Sequence, residues 1–527
     1  MKKFLAILMV ICMMASLLSI TAFAADELPE PAQGTLLRVT AIKGNETVLV
    51  GDYTNFEDGW NKAIHEGLPK QTKNTKYERI IVDFYADWTS ADDGNFTDDF
   101  TLQLNGEGFN NDTIEIPDDV KITINLNGHT IKRVLPESIS DGEVMYIDED
   151  ADVIINNGTI TGGKSTNGAG GIHIHDADVV LNNVHIVGNV ADADDGGGIA
   201  LYDDAVFTMN GGSFKDNVIV GSSWNGALQC YGGAIYVNDS KATFENVEFK
   251  NNQTENDEDY GAAIYADDSE VYVKNCTFDS NGIKDDAKNF KGSCSIIHGE
   301  DSTINIEKST FTNNGGGYHY DARYAYGGGE YIGFYSSVFT LEDTKLYISG
   351  DSKISNNNVY YIFFARGDAG VYATDTTITD NTAMVMWSSE WNEDDNYFKN
   401  CTFNNNKYTS DKIEVADSVY SDYNGESFYI GVFAYFPAIR VVFENCDMGD
   451  SHFEEWLLDY VKFVDCENTP HSTVRRFASI FGEGSLTMIV ALLALIASGV
   501  AIFLIVYYNK KKAAPVVADT KEAEDEE

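Results

Sequence analysis

"YGGAIYVNDSKATFENVEFKNN", Tyr231 to Asn252, is followed almost at once by "YGAAIYADDSEVYVKNCTFDSN", Tyr260 to Asn281. Apolar positions are held between the two copies, while the polar ones drift. Taking the apolar residue after each glycine pair as position zero gives Ile172, Ile199, Ile235, Ile264 and, without the glycines, Ile297. Apolar residues return at +2, at +7 and +9, and at +12 and +14, as in Val271, Val273, Cys276 and Phe278. Asparagine closes the units at +17, as Asn189, Asn252, Asn281 and Asn314; the Ile199 unit carries one extra residue in its first turn and closes at Asn217.

Steps of two within each pair are strand alternation, and the longer gaps between pairs are turns. Each unit therefore reads as three short strands whose inward residues cannot be buried by one unit alone, so units must stack. Stacking at strand spacing, ~4.8 Å, predicts an all-β parallel β-helix solenoid. Asparagines recur at +11 (Asn183, Asn246, Asn275), where stacked amides can satisfy backbone groups left open by a bend. Aspartates recur at +4 (Asp176, Asp203, Asp239, Asp268, Asp301), which fits turn formation or a row of calcium sites. Cys276 and Cys401 fall at the small inward +12 position, about four rungs apart, too far for a disulfide. Cys446 and Cys466 are close enough in sequence to pair.

Working outward, "NFEDGWNKAIHEG" spaces Phe56, Trp60 and Ile64 four apart, which predicts an amphipathic helix capping the solenoid's N-terminal end. Residues 1–24 read as a secretory signal peptide, from Lys2-Lys3, an apolar run and Ala22-Phe23-Ala24. Leu486–Val506 carries no charge over 21 residues and precedes Lys510, Lys511 and Lys512, the pattern of one transmembrane helix with a cytoplasmic tail. The expected organisation is a cap over 25–75, the β-helix over 76–470, a juxtamembrane linker over 471–485, the span over 486–507 and the tail over 508–527. It predicts a single-pass cell-membrane protein with an extracellular ectodomain, bound to the lipid bilayer through Leu486–Val506.

The 83 acidic against 36 basic side chains leave a net charge of −47, a field that repels nucleic acid and attracts cations. The 12% aromatic content excludes a disordered acidic chain, so the charge coats a packed structure.

The repeats "YGGAIYV" and "YGAAIYA", with "FKDN", "FKNN", "FDSN" and "FTNN", resemble the repeats of the polymorphic outer-membrane proteins. More broadly, the ectodomain resembles the pectate-lyase-like right-handed β-helix superfamily, and "ITINLNGHTI" resembles first rungs of bacterial surface proteins of that kind. The resemblance implies a right-handed helix and surface display, commonly with adhesive roles, and carries over no catalytic residue. A helical span instead of an outer-membrane barrel separates this chain from the polymorphic family.

Solenoid function belongs to loops, which vary without disturbing the core. The loops between each closing asparagine and the next unit leave one side of the rungs and gather aromatic residues among acids. Trp224, Tyr260, Tyr318, Tyr320 and Tyr324, with Trp387 and Trp391 in "MWSSEWNEDDN", are the candidate ligand-binding residues. Ring faces stack on sugars while carboxylates accept their hydroxyl protons, which points to an extracellular glycan or a surface protein as partner. Packing of these rings on the outer β-face is the competing explanation. Asp194 and Asp195, with Asp257 and Asp259, are candidate calcium ligands, calcium being the one cofactor the sequence suggests. The second functional class is a polysaccharide lyase or glycoside hydrolase. Arg323 or Lys284 beside Asp285, Asp286 and Asp321 would serve a lyase, yet no active-site motif surrounds them. His173 and His175 share an outward strand face where a metal or solvent can meet them.

Overall fold

The computed structural model describes residues 28–469, apart from 68–76, 91–112, 135–141, 221–229, 256–259, 284–292, 316–334, 390–395, 407–440, 452–460 and three single positions. Residues 1–469 form one compact unit; a second, 470–527, lies wholly outside the described residues, as does the signal segment. Among the described residues no helix is long and apolar enough to cross a membrane, and Leu486–Val506 falls outside them.

Each rung begins in sheet B, where Ile235–Asn238 lies parallel to Ile264–Asp267 with Ile235 opposite Ile264 and Val237 opposite Ala266. The chain turns into sheet A, where Lys241–Glu245 pairs with Glu270–Lys274 and places Ala242 on Val271 and Phe244 on Val273. A second bend leads to Glu248–Lys250 and Thr277–Asp279, with Phe249 on Phe278. These are the predicted offsets, and every inward residue among them is buried. A fourth short strand, which the apolar spacing does not reveal, follows the closing asparagines Asn189, Asn217, Asn252 and Asn281 and forms sheet C, as in Gln253–Thr254 on Gly282–Ile283. After Asn357 and Asn381 the chain instead runs straight into the sheet B strands Asn358–Arg366 and Thr382–Ser389. The extra residue of the Ile199 unit is absorbed at Asp203 and Asp204, both at positive φ, so that Phe207 and Phe214 keep register with Val179 and Ile186.

The turns explain the polar columns. Asp176, Asp239, Asp268 and Asp301 sit at φ 43–47°, a left-handed conformation that short polar side chains tolerate better than others. The +4 aspartates therefore shape the first bend. The +11 asparagines do the same at the second: Asn183, Asn246 and Asn275 have φ of 51–59° and are largely exposed. The glycine pair has two causes. Gly232 adopts φ +76°, and a Cβ on Gly233 would stand 2.3 Å from the carbonyl oxygen of Ala262 in the next rung.

Satisfaction of buried backbone falls instead to the closing asparagines. Asn281 Oδ1 accepts from the Asn252 backbone N–H (3.0 Å) and from Asn252 Nδ2 (2.9 Å), while Asn281 Nδ2 donates to Phe249 O (2.9 Å) and Asn314 Oδ1 (3.1 Å). Both lone pairs and both protons of the amide are used. The amide ladder runs through Asn189, Asn217, Asn252, Asn281, Asn314, Asn357, Asn381 and Asn406. Beside it runs a ring stack, with centroids 5.1 Å apart for Phe214–Phe249, 4.5 Å for Phe249–Phe278 and 4.4 Å for Phe278–Phe311.

At the N-terminal end, β1 (Leu37–Lys43) pairs antiparallel with β2 (Glu46–Tyr53) and with β3 (Arg79–Phe84), and β3 starts the parallel register on Lys121–Asn125. The hairpin is not foreseen by the periodicity. Helix α1 (Phe56–Gly67) forms where its spacing predicts, with the Asp58 N–H donating to Asn55 Oδ1 as an N-cap. Phe56, Trp60 and Ile64 are buried; Phe56 stacks on Trp88 at 4.1 Å, and Trp60 Nε1 donates to Glu115 O. At the other end Cys401, Cys446 and Cys466 occupy the +12 column on consecutive rungs as free thiols. Each of the last two accepts a backbone N–H of the preceding rung, Cys401 to Cys446 Sγ at 3.3 Å and Cys446 to Cys466 Sγ at 3.4 Å.

Two buried substitutions, each set against an exposed control, test this core. Phe249→Asp puts an unpaired carboxylate between Phe214 and Phe278 and should lower stability by ~4 kcal/mol or more, whereas Lys250→Ala on the exposed outer face should cost little. Thermal melts showing equal losses would refute the inward assignment. Asn281→Ala strands the Asn252 N–H and Phe249 O and should cost ~2–4 kcal/mol in denaturant titrations, more than loss of the exposed Asn275 amide.

Candidate ligand-binding face

The outward positions of sheet B bring together residues that the repeat leaves free. Register aligns Tyr146 with His173, His173 with Ala200, Ala200 with Tyr236, Tyr236 with Tyr265 and Tyr265 with His298. Where the column has the small Ala200, Tyr202 from the adjacent outward position fills the row. Ring centroids then follow at 4.9 Å (Tyr146–His173), 4.9 Å (His173–Tyr202), 5.4 Å (Tyr202–Tyr236), 5.6 Å (Tyr236–Tyr265) and 4.7 Å (Tyr265–His298). Tyr231 and Tyr260 flank the row just before the glycine turns, Tyr231 at 4.2 Å from Tyr265 and Tyr260 at 4.9 Å from His298. Ala169, Ala200, Tyr236 and Tyr265 are buried in this outer cluster; Tyr202, Tyr231 and Tyr260 remain half-buried.

Carboxylates border the rings. Tyr265 Oη donates to Glu300 Oε2 at 2.7 Å, and Asp267 and Glu342 lie in register on either side of Glu300. Burial, with Asp195 adding for Tyr202, Tyr231 and Tyr236 and Glu300 for Tyr265, holds these phenols far above their ordinary range, so they remain proton donors. Burial, reinforced by Glu300, also raises Asp267. His298 is fully enclosed and burial, then Arg366, drives its imidazole down to about 3, so it is neutral.

Of the sequence-derived candidates, Tyr260 flanks this row. Trp387 sits in the strand Thr382–Ser389, its backbone in register with Phe364. Trp224, Tyr318, Tyr320, Tyr324 and Trp391 lie outside the described residues, as do Asp257, Asp259 and the lyase candidates Lys284, Asp285, Asp286, Asp321 and Arg323. Asp194 and Asp195 bind backbone: Asp194 Oδ2 accepts from Gly168 N–H at 2.7 Å, and Asp195 Oδ1 from Tyr231 N–H at 2.8 Å. They thus tie the rung before to the rung after. His173 faces Glu143 Oε2 at 3.5 Å, and His175 Nε2 meets Asp203 at 2.9 Å. The residues that periodicity passed over are Tyr146, Tyr202, Tyr231, Tyr236, Tyr265 and His298. Their signal was present, since Tyr236 and Tyr265 occupy +1 of the two quoted copies.

Asp195 carries a pH signature. Burial, then the neighbouring Asp194, raises it to about 7. A folded value above the unfolded one means that its contribution to stability is full below about pH 4 and lost as pH rises to about 7. Asp195→Asn keeps an acceptor for Tyr231 N–H and removes the ionisation. It should be close to neutral at pH 4 and stabilising by a few kcal/mol at pH 8, read as a melting-temperature difference that widens with pH.

Residues 108–339 match a family model described as a right-handed β-helix region. No curated protein matches the chain. Among solved structures, tailspike protein 3 of bacteriophage CBA120 is similar at 11% identity over 68% of this chain and 55% of that one, with a TM-score of 0.31. The chain thus spans little more than half the length of that tailspike. Residues 108–339 thus carry the right-handed β-helix match, and the described strands, stacked rung on rung in parallel register, form a parallel β-helix.

Proposed function

We propose that this chain is a membrane-anchored cell-surface protein that binds extracellular glycans, in an adhesin-like role, through the outward face of sheet B. The observation that carries the reading is the row of rings from Tyr146 to His298, bordered by Asp195, Asp267 and Glu300. The half-buried rings, Tyr146, His173, Tyr202, Tyr231 and Tyr260, offer stacking surfaces to a linear saccharide, seated on the buried Tyr236 and Tyr265, and the bordering carboxylates can accept from its hydroxyls. In this reading Leu486–Val506 is the anchor, the ectodomain is extracellular and α1 closes the N-terminal end of the solenoid.

A second reading, glycan cleavage, is favoured by one observation. Asp195, protonated to about pH 7 beside Tyr202, has the character of a general acid.

A glycan panel of uronic-acid and neutral oligosaccharides, read by calorimetry on the whole chain, tests both. Tyr231→Ala with Tyr260→Ala should weaken binding ~tenfold or more, while Tyr347→Ala, which removes an exposed ring on sheet A, should leave it unchanged. Loss of binding with Tyr347→Ala instead would move the site to the sheet A tyrosines, where Tyr347 and Tyr372 stack at 5.0 Å. New reducing ends that vanish in Asp195→Asn would establish the enzyme.

A further inference from the structure

At the upper end of the ring row, His298 and Glu300 stand two residues apart on the outward face of Ser293–Glu300, and Glu342 lies directly across the next rung in register with Glu300. One ligand atom from each of the three lies within 4.8 Å of the others. His298 is 2% exposed, and its Nδ1 has no hydrogen-bond partner among the described residues. A buried polar atom left unpaired is costly, and an enclosed imidazole with an idle nitrogen beside two carboxylates points to a ligand. Tyr265 stacks on the ring at 4.7 Å, 14° from parallel, and Tyr260 meets it at 4.9 Å in a tilted contact. Charge points the same way. Asp267, Glu300 and Glu342 succeed one another along the column, and among the described residues Arg366 pairs with Glu342 Oε2. The cluster keeps an excess of negative charge that a dication would offset.

We propose that His298, Glu300 and Glu342 form a binding site for a divalent transition-metal ion of the zinc class. One imidazole and two carboxylates suit zinc or manganese, whereas a site for calcium would be built of oxygen alone. Three protein ligands leave a position open for water or for a ligand of the neighbouring face. The inference does not rest on the glycan reading, since metal binding is measured with no saccharide present. The site is also separate from Asp194 and Asp195, whose carboxylates hold backbone N–H groups.

The test uses the whole chain, stripped with a chelator and titrated with zinc chloride while bound metal is counted by elemental analysis. One equivalent of zinc should bind and raise the melting temperature, and excess calcium should not displace it. Glu342→Gln, at a half-buried position that tolerates the isosteric amide, should weaken zinc binding on the order of 100-fold with the fold intact by circular dichroism. His298→Ala should do the same if it folds. Arg366→Ala removes a competing cation and should tighten binding, an effect that a purely structural ion pair would not produce. Absence of stoichiometric zinc in the wild-type chain, or equal affinity in Glu342→Gln, would overturn the proposal.

Discussion

The structure depends on one interaction, the amide of each closing asparagine spanning three rungs. Without it, the bend at each closing asparagine would leave a backbone N–H and a carbonyl buried and unpaired, at about 1–3 kcal/mol each. Asn281 meets four partners at 2.9–3.1 Å, and its neighbours along the ladder repeat the arrangement. No other side chain has two donors and a two-lone-pair acceptor on so short a stem except glutamine, which is a methylene too long. Everything apolar follows from the rung spacing that the ladder fixes. Phe249 and Phe278 can stack within 2° of parallel because their strands are held in exact register by the backbone and the amides together.

The three bends divide the work. Left-handed aspartates and asparagines let the chain turn without glycine at each corner, and they keep their carboxylates and amides on the outside. That is where much of the negative charge lies, in columns at rung spacing. The aromatic face of sheet B is the exception. There the outward side chains cover one another, and Tyr236 and Tyr265 are nearly as buried as the core.

What the sequence made legible follows from this division. The inward set, the closing asparagine, the extra residue near Asp203 and the helix at Phe56–Gly67 all leave periodic traces, because burial restricts residue type. The hairpin β1–β2 and sheet C leave none: one is a single occurrence, and the other has strands too short to alternate. The candidate face was half legible. Tyr260 was found through its loop, but Tyr236 and Tyr265 stand at outward positions, where alternation predicts solvent. Only the registration of successive rungs turns isolated outward tyrosines into a row. His298 escaped for a different reason. Its unit lacks the glycine pair, and its partner Glu342 is 44 residues away in sequence, so only stacking makes them neighbours.

The asparagine ladder also has a direction. Asn252 gives its backbone N–H to Asn281, Asn281 to Asn314, and Asn314 to Asn357, each donation pointing toward the C-terminus. A rung emerging from the ribosome or a translocation pore therefore stays incomplete until the following rung arrives to accept from it. Growth is templated at the newest edge, and the finished portion behind it is already closed. For a chain made N-terminus first, each added rung locks the one before it.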